Sequence, residues 1–457
     1  MSNARPDERM SDIDSLVWAV EHEPRNRTTI AALARFDGHV DPGQLRPRIE
    51  RVSRLIHRLH QRVVHDPSGI GAPRWSVHPE FRLAHHLRWM QLSDGSDPGL
   101  GRVVRDLIVQ PFDRARPLWE FTVITGLNDG GSALLLKAHH AVSDGVGGVE
   151  MMLELFDLDE VSDGARADLP PAPTAASEPD TVVGSLQDEL GRVLHATRAR
   201  LGAVATPRSP DDLTRQARRL GETLGSAYCM FRPKPAAAGV SSERSDGLDL
   251  RFFSLDLDDL RDAGHRVGGT VNTAFVAAVA LGVSDHHADS PSTGPLRVSI
   301  PISTRSADDG VGNHWTPTRV DLDVGADSEP DDVAREVLRH SAGLRDDPAR
   351  SLVPVLTAGL LPLPDATTAA LFSAAASAHD VAASNVPRSP VLLYLCGEPV
   401  RELIPFGPLS GAAVNVTLMS YGRTAHIGIS SDPAAIADPG GLAHCLQQSF
   451  TALVKGS

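Results

Sequence analysis

With 457 residues and a formal charge of -14 at pH 7, the chain is too long for one ordinary core, because single cores stop growing near ~250 to 300 residues. Its 41% hydrophobic and 22% charged residues exclude a disordered or fibrous composition. The acidic balance excludes nucleic acid as the main partner, since phosphate binding needs Lys and Arg to neutralise the backbone, and it opposes an anionic membrane on average. Cys229, Cys396 and Cys445 lack both the CxxC spacing of a zinc site and the density of a disulfide scaffold, which predicts a reducing, cytoplasmic setting. The polar start MSNARPDERMSDIDS carries acids where a secretory signal needs an apolar run. The longest apolar stretch, Val271 to Val283, is shorter than the ~20 residues of a spanning helix. Contact with a membrane or lipid body, where it occurs, is therefore peripheral.

In chain order, Glu120 to Gly126 and Ala133 to Ala138 flank the turn signal LNDGG and predict a hairpin. From Gly145 onward, GVGGVEMMLELFD has helical spacing, so the histidines before it stand where a strand gives way to a helix. Composition changes after Asp159: VSDGARADLPPAPTAASEPD cannot bury a core and reads as a linker. Amphipathic helical patterns follow near Thr181 to Val204 and Pro210 to Tyr228, and a second weak stretch ends near Gly247. The predicted organisation is thus a first domain over 1–160, a helix-bearing linker over 161–247 and a second domain over 248–457. In the second domain Leu250 to Leu257, Pro295 to Arg305, Val391 to Val400 and Ala412 to Asp432 are strand-like, while Thr270 to Val283 and Pro439 to Val454 are helix-like. Both halves mix strands and helices, an α/β (α+β) pattern. The stretch Val353 to Ala376, rich in Leu, Ala and Pro, reads more readily as buried helix than as a membrane-docking patch.

The chemistry-bearing segment is LKAHHAVSDG, Leu136 to Gly145. His140 has Asp144 four positions on, and Gly145 permits a positive φ or the close approach of a ligand. A ring held in one tautomer through one nitrogen, with the other exposed, would be a general base at the mouth of a cleft. Taken alone, a histidine pair at a strand end is more often a satisfied half-buried pair than a catalytic one. His85-His86 and His286-His287 are such pairs, without an Asp-Gly at this offset. Adjacent strand residues point to opposite faces, so His139 and His140 do not converge on one ion, and no metal is expected. No GxSxG, GxxxxGK[ST] or HExxH motif occurs.

With its surroundings, PFDRARPLWEFTVITGL followed by LLLKAHHAVSDGVGG resembles the bacterial wax ester synthase/diacylglycerol acyltransferase family of the CoA-dependent acyltransferase superfamily. Further blocks carry the likeness over most of the chain: MSDIDSLVWAVE, PRWSVHPEFRLAHHLR, TVNTAFVAAVALGV, VSIPISTR, SNVPRSPVLLYLCGEPV and GPLSGAAVNVTLMSYGRTAHIGISSD. HHxxxDG alone is shared with condensation domains; the flanking blocks point to the family. The resemblance implies two chloramphenicol-acetyltransferase-like domains with a tunnel between them, acyl-CoA as substrate rather than any bound cofactor, and a diacylglycerol or long-chain alcohol acceptor. It makes His139, His140, Asp144 and Gly145 the catalytic candidates, with His140 as base and no covalent acyl-enzyme. Asn272, Ser143 and Trp119 are candidates for substrate or oxyanion contacts, and Trp119 has an equal reading as core. Asp144 is expected to face away from substrate and pair with Arg305, with Pro117 structural. Two positions depart from the family pattern: Thr273 stands where an aspartate follows the asparagine, and Arg388 stands where SNVP is followed by glycine. These departures leave room for an acyltransferase or condensation-type enzyme of specialised metabolism, or for a lipid-binding relative without turnover.

Overall fold

The computed structural model describes residues 7–65, 72–143, 154–160, 169–174, 243–288, 294–303, 315–325, 327–344, 365–376, 379–389 and 391–456, with a few single residues between them. In chain order the first half carries β1 (Asp7–Arg9), α1 (Asp12–Val20), β2 (Thr29–Phe36), α2 (Pro42–Leu55), β3 (Gln61–Val64), β4 (Arg74–Val77), β5 (Leu87–Gln91), α3 (Asp97–Val109), β6 (Trp119–Thr125) and β7 (Ser132–His139). The second half carries β8 (Asp249–Asp256), α4 (Leu257–Arg266), α5 (Val271–His286), β9 (Leu296–Ser303), β10 (Trp315–Leu322), α6 (Pro330–Leu344), α7 (Asp365–Ala376) and β11 (Val381–Ser389). It ends with β12 (Tyr394–Leu395), β13 (Glu398–Phe406), β14 (Val414–Tyr421), β15 (Thr424–Ser431) and α8 (Pro439–Lys455). Helix starts follow local chemistry: the Ser11, Ser96 and Asp438 side chains accept the backbone N–H groups of Asp14, Gly99 and Gly441, satisfying donors that the first helical turn leaves orphaned.

Two six-stranded mixed sheets organise the molecule, in the orders β12-β13-β2-β7-β6-β5 and β10-β9-β11-β14-β15-β8, beside a small sheet β1-β4-β3. The predicted hairpin is β6 and β7, paired antiparallel. Every residue of β7 is buried because its sheet is covered on both faces. Leu134, Leu136 and Ala138 enter the main core of the first lobe, while Ala133 and Leu135 pack with Leu100, Val104 and Leu107 of α3. That explains why Ala133 to Leu136 read as an unbroken apolar run rather than an alternating one. In the second lobe α5 is buried from Thr273 to Val283, so its apolar length reflects a core position. Among the described residues no single helix is long and apolar enough to cross a membrane.

Three features differ from the sequence reading. The stretch Val391 to Val400 is not one strand: Cys396 and Gly397 have φ of 55° and 87°, the left-handed pair of a tight hairpin turn, and the chain reverses between β12 and β13. That hairpin then leaves its own half, because β13 pairs antiparallel with β2, Leu403 opposite Ala34. The division at 160 and 247 is therefore not a division between sheets. Of Val353 to Ala376, the described part is α7, where Thr368 and Ala369 are buried but Leu371 is 48% exposed, so burial holds for one face only. The helices predicted over 181–204 and 210–228 lie outside the described residues.

Candidate active site

The pair His139 and His140 ends β7, and antiparallel pairing sets Thr29 of β2 opposite His139. The preceding loop touches the second half of the chain: Asn26 Nδ2 donates to Ser373 Oγ on α7 at 2.8 Å, and Arg27 donates to the Asp246 carbonyl at 3.1 Å. His140 is tied to that loop, its N–H donating to the Thr28 carbonyl at 3.0 Å. The pair thus stands at the seam of the two lobes. The same seam is closed further along by β13 lying over β14 and β15, where Ser430 Oγ donates to Gly407 O at 3.0 Å and Asn415 Nδ2 to Pro408 O at 2.7 Å.

The two rings have opposite surroundings. His139 is 0% exposed and both its nitrogens are engaged. The Ala141 N–H donates to Nδ1 at 3.0 Å, so Nδ1 presents its lone pair and the proton belongs on Nε2, a tautomer assigned from the bonding network. Nε2 lies 2.8 Å from Glu21 Oε2 and 3.1 Å from Thr28 Oγ1. Glu21 also accepts the Thr28 N–H at 3.0 Å and its hydroxyl at 3.3 Å. Burial would raise the Glu21 carboxyl, but the hydrogen bonds from His139 and the Thr28 N–H and the nearby Arg114 guanidinium oppose it and hold the group below the usual carboxylate range. His140, by contrast, is only partly buried. Of the pair, the second residue is the one that keeps solvent exposure.

The other candidates separate. Ser143 is buried just beyond the turn, and Asp144, Gly145 and Arg305 lie outside the described residues. Asn272, in the first turn of α5, accepts a hydrogen bond from Asn385 Nδ2 of β11 at 3.4 Å, which joins two sequence blocks separated by more than a hundred positions. Thr273 is buried and its hydroxyl accepts the Thr270 N–H at 3.2 Å. It closes the helix start, a task a carboxylate at that position would also perform. Arg388 lies on β11 where the register against β14 breaks between Val386 and Ser389. Trp119, read equally as core or as substrate contact, stands in the core. It is 0% exposed, its indole N–H donates to Leu59 O at 2.8 Å, and its ring stacks on His86 at 4.6 Å. The ring packs the first core, beside buried Pro117.

Sequence reasoning missed Glu21 and Thr28. Glu21 closes the block MSDIDSLVWAVE, but its distance along the chain from the histidines hid the contact. Lys137 was also passed over. It is buried, donates to Gln110 O at 2.6 Å and lies over the Phe112 ring at 4.4 Å; burial pushes its ammonium below the usual lysine range, against the opposing pull of Glu120.

Two mixed sheets sharing a seam, with a histidine pair at the end of a central strand beside it, define a two-lobed α/β architecture. Solved structures share it. The wax ester synthase/diacylglycerol acyltransferase from Marinobacter aquaeolei VT8 is 19% identical with a TM-score of 0.63, covering 97% of this chain and 98% of that one. The first condensation domain of the calcium-dependent antibiotic synthetase, with a substrate analogue, is 17% identical with a TM-score of 0.64, covering 99% and 96%. At these identities the likeness establishes the fold, that of chloramphenicol-acetyltransferase-like lobes. Sequence establishes the family. Residues 10–275 match the wax ester synthase/diacylglycerol acyltransferase catalytic domain, and residues 311–454 match the C-terminal domain of the same family. A putative diacylglycerol O-acyltransferase of Mycobacterium tuberculosis (strain ATCC 25618 / H37Rv) is 32% identical, covering 98% of this chain and 93% of that one. A probable diacylglycerol O-acyltransferase of the same strain is 26% identical, covering 93% and 91%. The chain belongs to the wax ester synthase/diacylglycerol acyltransferase family and is an acyl-CoA-dependent acyltransferase.

Proposed function

We propose that this acyltransferase moves a fatty acyl group from a CoA thioester to the hydroxyl of diacylglycerol or a long-chain alcohol, with His140 as general base. The observation that carries the reading is the contrast between the rings. His139 is sealed with both nitrogens engaged, while His140 keeps partial exposure at the lobe seam. A neutral hydroxyl is a weak nucleophile towards a thioester, so a base that takes its proton during attack contributes typically ~10²- to 10⁴-fold. Holding acyl-CoA and acceptor in line from opposite ends of an inter-lobe tunnel adds to this. When the tetrahedral intermediate collapses, the C–S bond breaks, the ester remains, and the proton held by His140 passes to the departing CoA thiolate.

The oxyanion formed in that step requires donors. Asn272 suits the role because its carbonyl oxygen already accepts from Asn385, leaving its amide N–H groups to donate; backbone N–H groups near Gly145 are the second source. Asp144, paired with Arg305, is assigned to hold the loop. No bound cofactor is needed for this chemistry. Because the acceptor is a lipid, the enzyme meets it at the surface of a membrane or lipid body, from the cytoplasmic side.

The test is release of free thiol with ester formation from palmitoyl-CoA and either hexadecanol or dioleoylglycerol. His140→Ala is expected to lower turnover by roughly 10²- to 10⁴-fold with the fold intact. Ester formation at the original rate in that variant overturns the assignment of the base. Background hydrolysis with both acceptors, alongside transfer to another alcohol or amine, would move the enzyme to specialised metabolism.

A further inference from the structure

Glu21 is the residue that follows α1, at its C-cap. A carboxylate there has the wrong sign for the helix dipole, whose C-terminal end favours cations. Its position is therefore not explained by helix stability. What it does touch is specific. Oε1 accepts both the N–H and the hydroxyl of Thr28, and Oε2 lies 2.8 Å from His139 Nε2. Outside this group, Arg114 approaches Oε2 at 3.6 Å and lies over the Trp18 ring at 4.1 Å, itself 5.8 Å from the His139 ring.

Two of those partners, Thr28 and His139, lead to His140. The Thr28 carbonyl accepts the His140 N–H at 3.0 Å. His139, with its proton drawn to Nε2 by the carboxylate, is left with an Nδ1 lone pair that accepts the Ala141 N–H at 3.0 Å. The same turn is closed by the Val142 N–H donating to His139 O at 2.9 Å. One carboxylate thus grips the segment before β2 and, through a buried ring, the turn after β7; His140 is presented between the two grips.

We infer that Glu21 is a positioning residue for the acyl transfer, one that together with the Ala141 N–H holds the His139 tautomer and through it the placement of the His140 ring. The inference rests on the reading of His140 as the base. Glu21 does not meet substrate through His139, because that ring is sealed from solvent and has no free nitrogen. Its contribution is geometric. A displaced base is costly, since misplacement by about 1 Å lowers rates on the order of 10²-fold.

Glu21→Gln tests this with little change of volume, replacing one acceptor oxygen by an NH₂ donor that must face donors. The expected result is a shift of His139 from the Nε2–H to the Nδ1–H tautomer in a histidine ¹⁵N spectrum, with kcat down roughly 10- to 100-fold and KM for palmitoyl-CoA held within about twofold. Glu21→Asp, which keeps the charge and shortens the reach, is expected to retain the tautomer and recover part of kcat. An unchanged tautomer in Glu21→Gln overturns the inference, as does a shifted tautomer with unchanged kcat. So does a fall in kcat that disappears when activity is expressed per folded molecule. His140→Ala is assayed beside it. If that variant still forms ester, the base reading fails, while the tautomer comparison still decides whether Glu21 controls His139.

Discussion

Trp119→Phe separates a core residue from a substrate contact. The indole N–H donates to Leu59 O at 2.8 Å inside a site with 0% exposure, and the ring lies 4.6 Å from His86 and 4.8 Å from Phe121. Phenylalanine preserves an aromatic ring but removes the donor. A buried carbonyl left without its partner costs about 1–3 kcal/mol, and the void left by the smaller ring adds about 1 kcal/mol. The expected loss is thus about 2–4 kcal/mol, read as a lower urea midpoint by far-ultraviolet circular dichroism with the denaturant slope unchanged. Per folded molecule, kcat and KM for both substrates should stay within about threefold of the parent, since no surface of this ring faces solvent or a cleft. A stability change under about 0.5 kcal/mol accompanied by a tenfold rise in KM would refute this reasoning and return Trp119 to the substrate path.

Acid should weaken the fold well before carboxylates titrate. Burial lowers His60, His86 and His426 from the usual 6.5 to about 4, so between these limits the unfolded chain binds protons that the folded one refuses. Stability is then complete above pH 6.5 and declines towards pH 4, by up to about 1.4 kcal/mol per pH unit for each histidine; urea midpoints that stay level from pH 7.5 to pH 5 would contradict this. At the seam, a Cβ on Gly428 would run into the Pro405 carbonyl oxygen, so Gly428→Ala should cost on the order of 1–3 kcal/mol. Gly101, inside α3 with nothing within 4 Å of its would-be Cβ, is the control: Gly101→Ala should stabilise by about 0.5–1 kcal/mol. Equal shifts for the two glycines in the same urea titration would show that the seam is not packed as described.

Local pattern was enough to place the β6–β7 hairpin, α5, α8 and the strand-forming stretch that holds β14 and β15, because each is set by an apolar run and its own turn or cap residues; that Ala412 to Asp432 folds back on itself as a hairpin came from the structure. The same pattern put two histidines at a strand end and, with the flanking blocks, made the family legible. Partner choice was not legible. The alternation in β13 says which residues face inward, but nothing in it says that Leu403 will sit opposite Ala34 rather than beside a strand of its own half; pairing is a long-range choice decided by what the completed sheet buries. The histidines show the same limit at the scale of one residue. Neighbouring side chains at a strand end must diverge, so the sequence dictated that the two rings have different surroundings. Which ring is sealed and which is open was settled by Glu21, Thr28 and the turn at Ala141, groups brought together only when β2 pairs with β7.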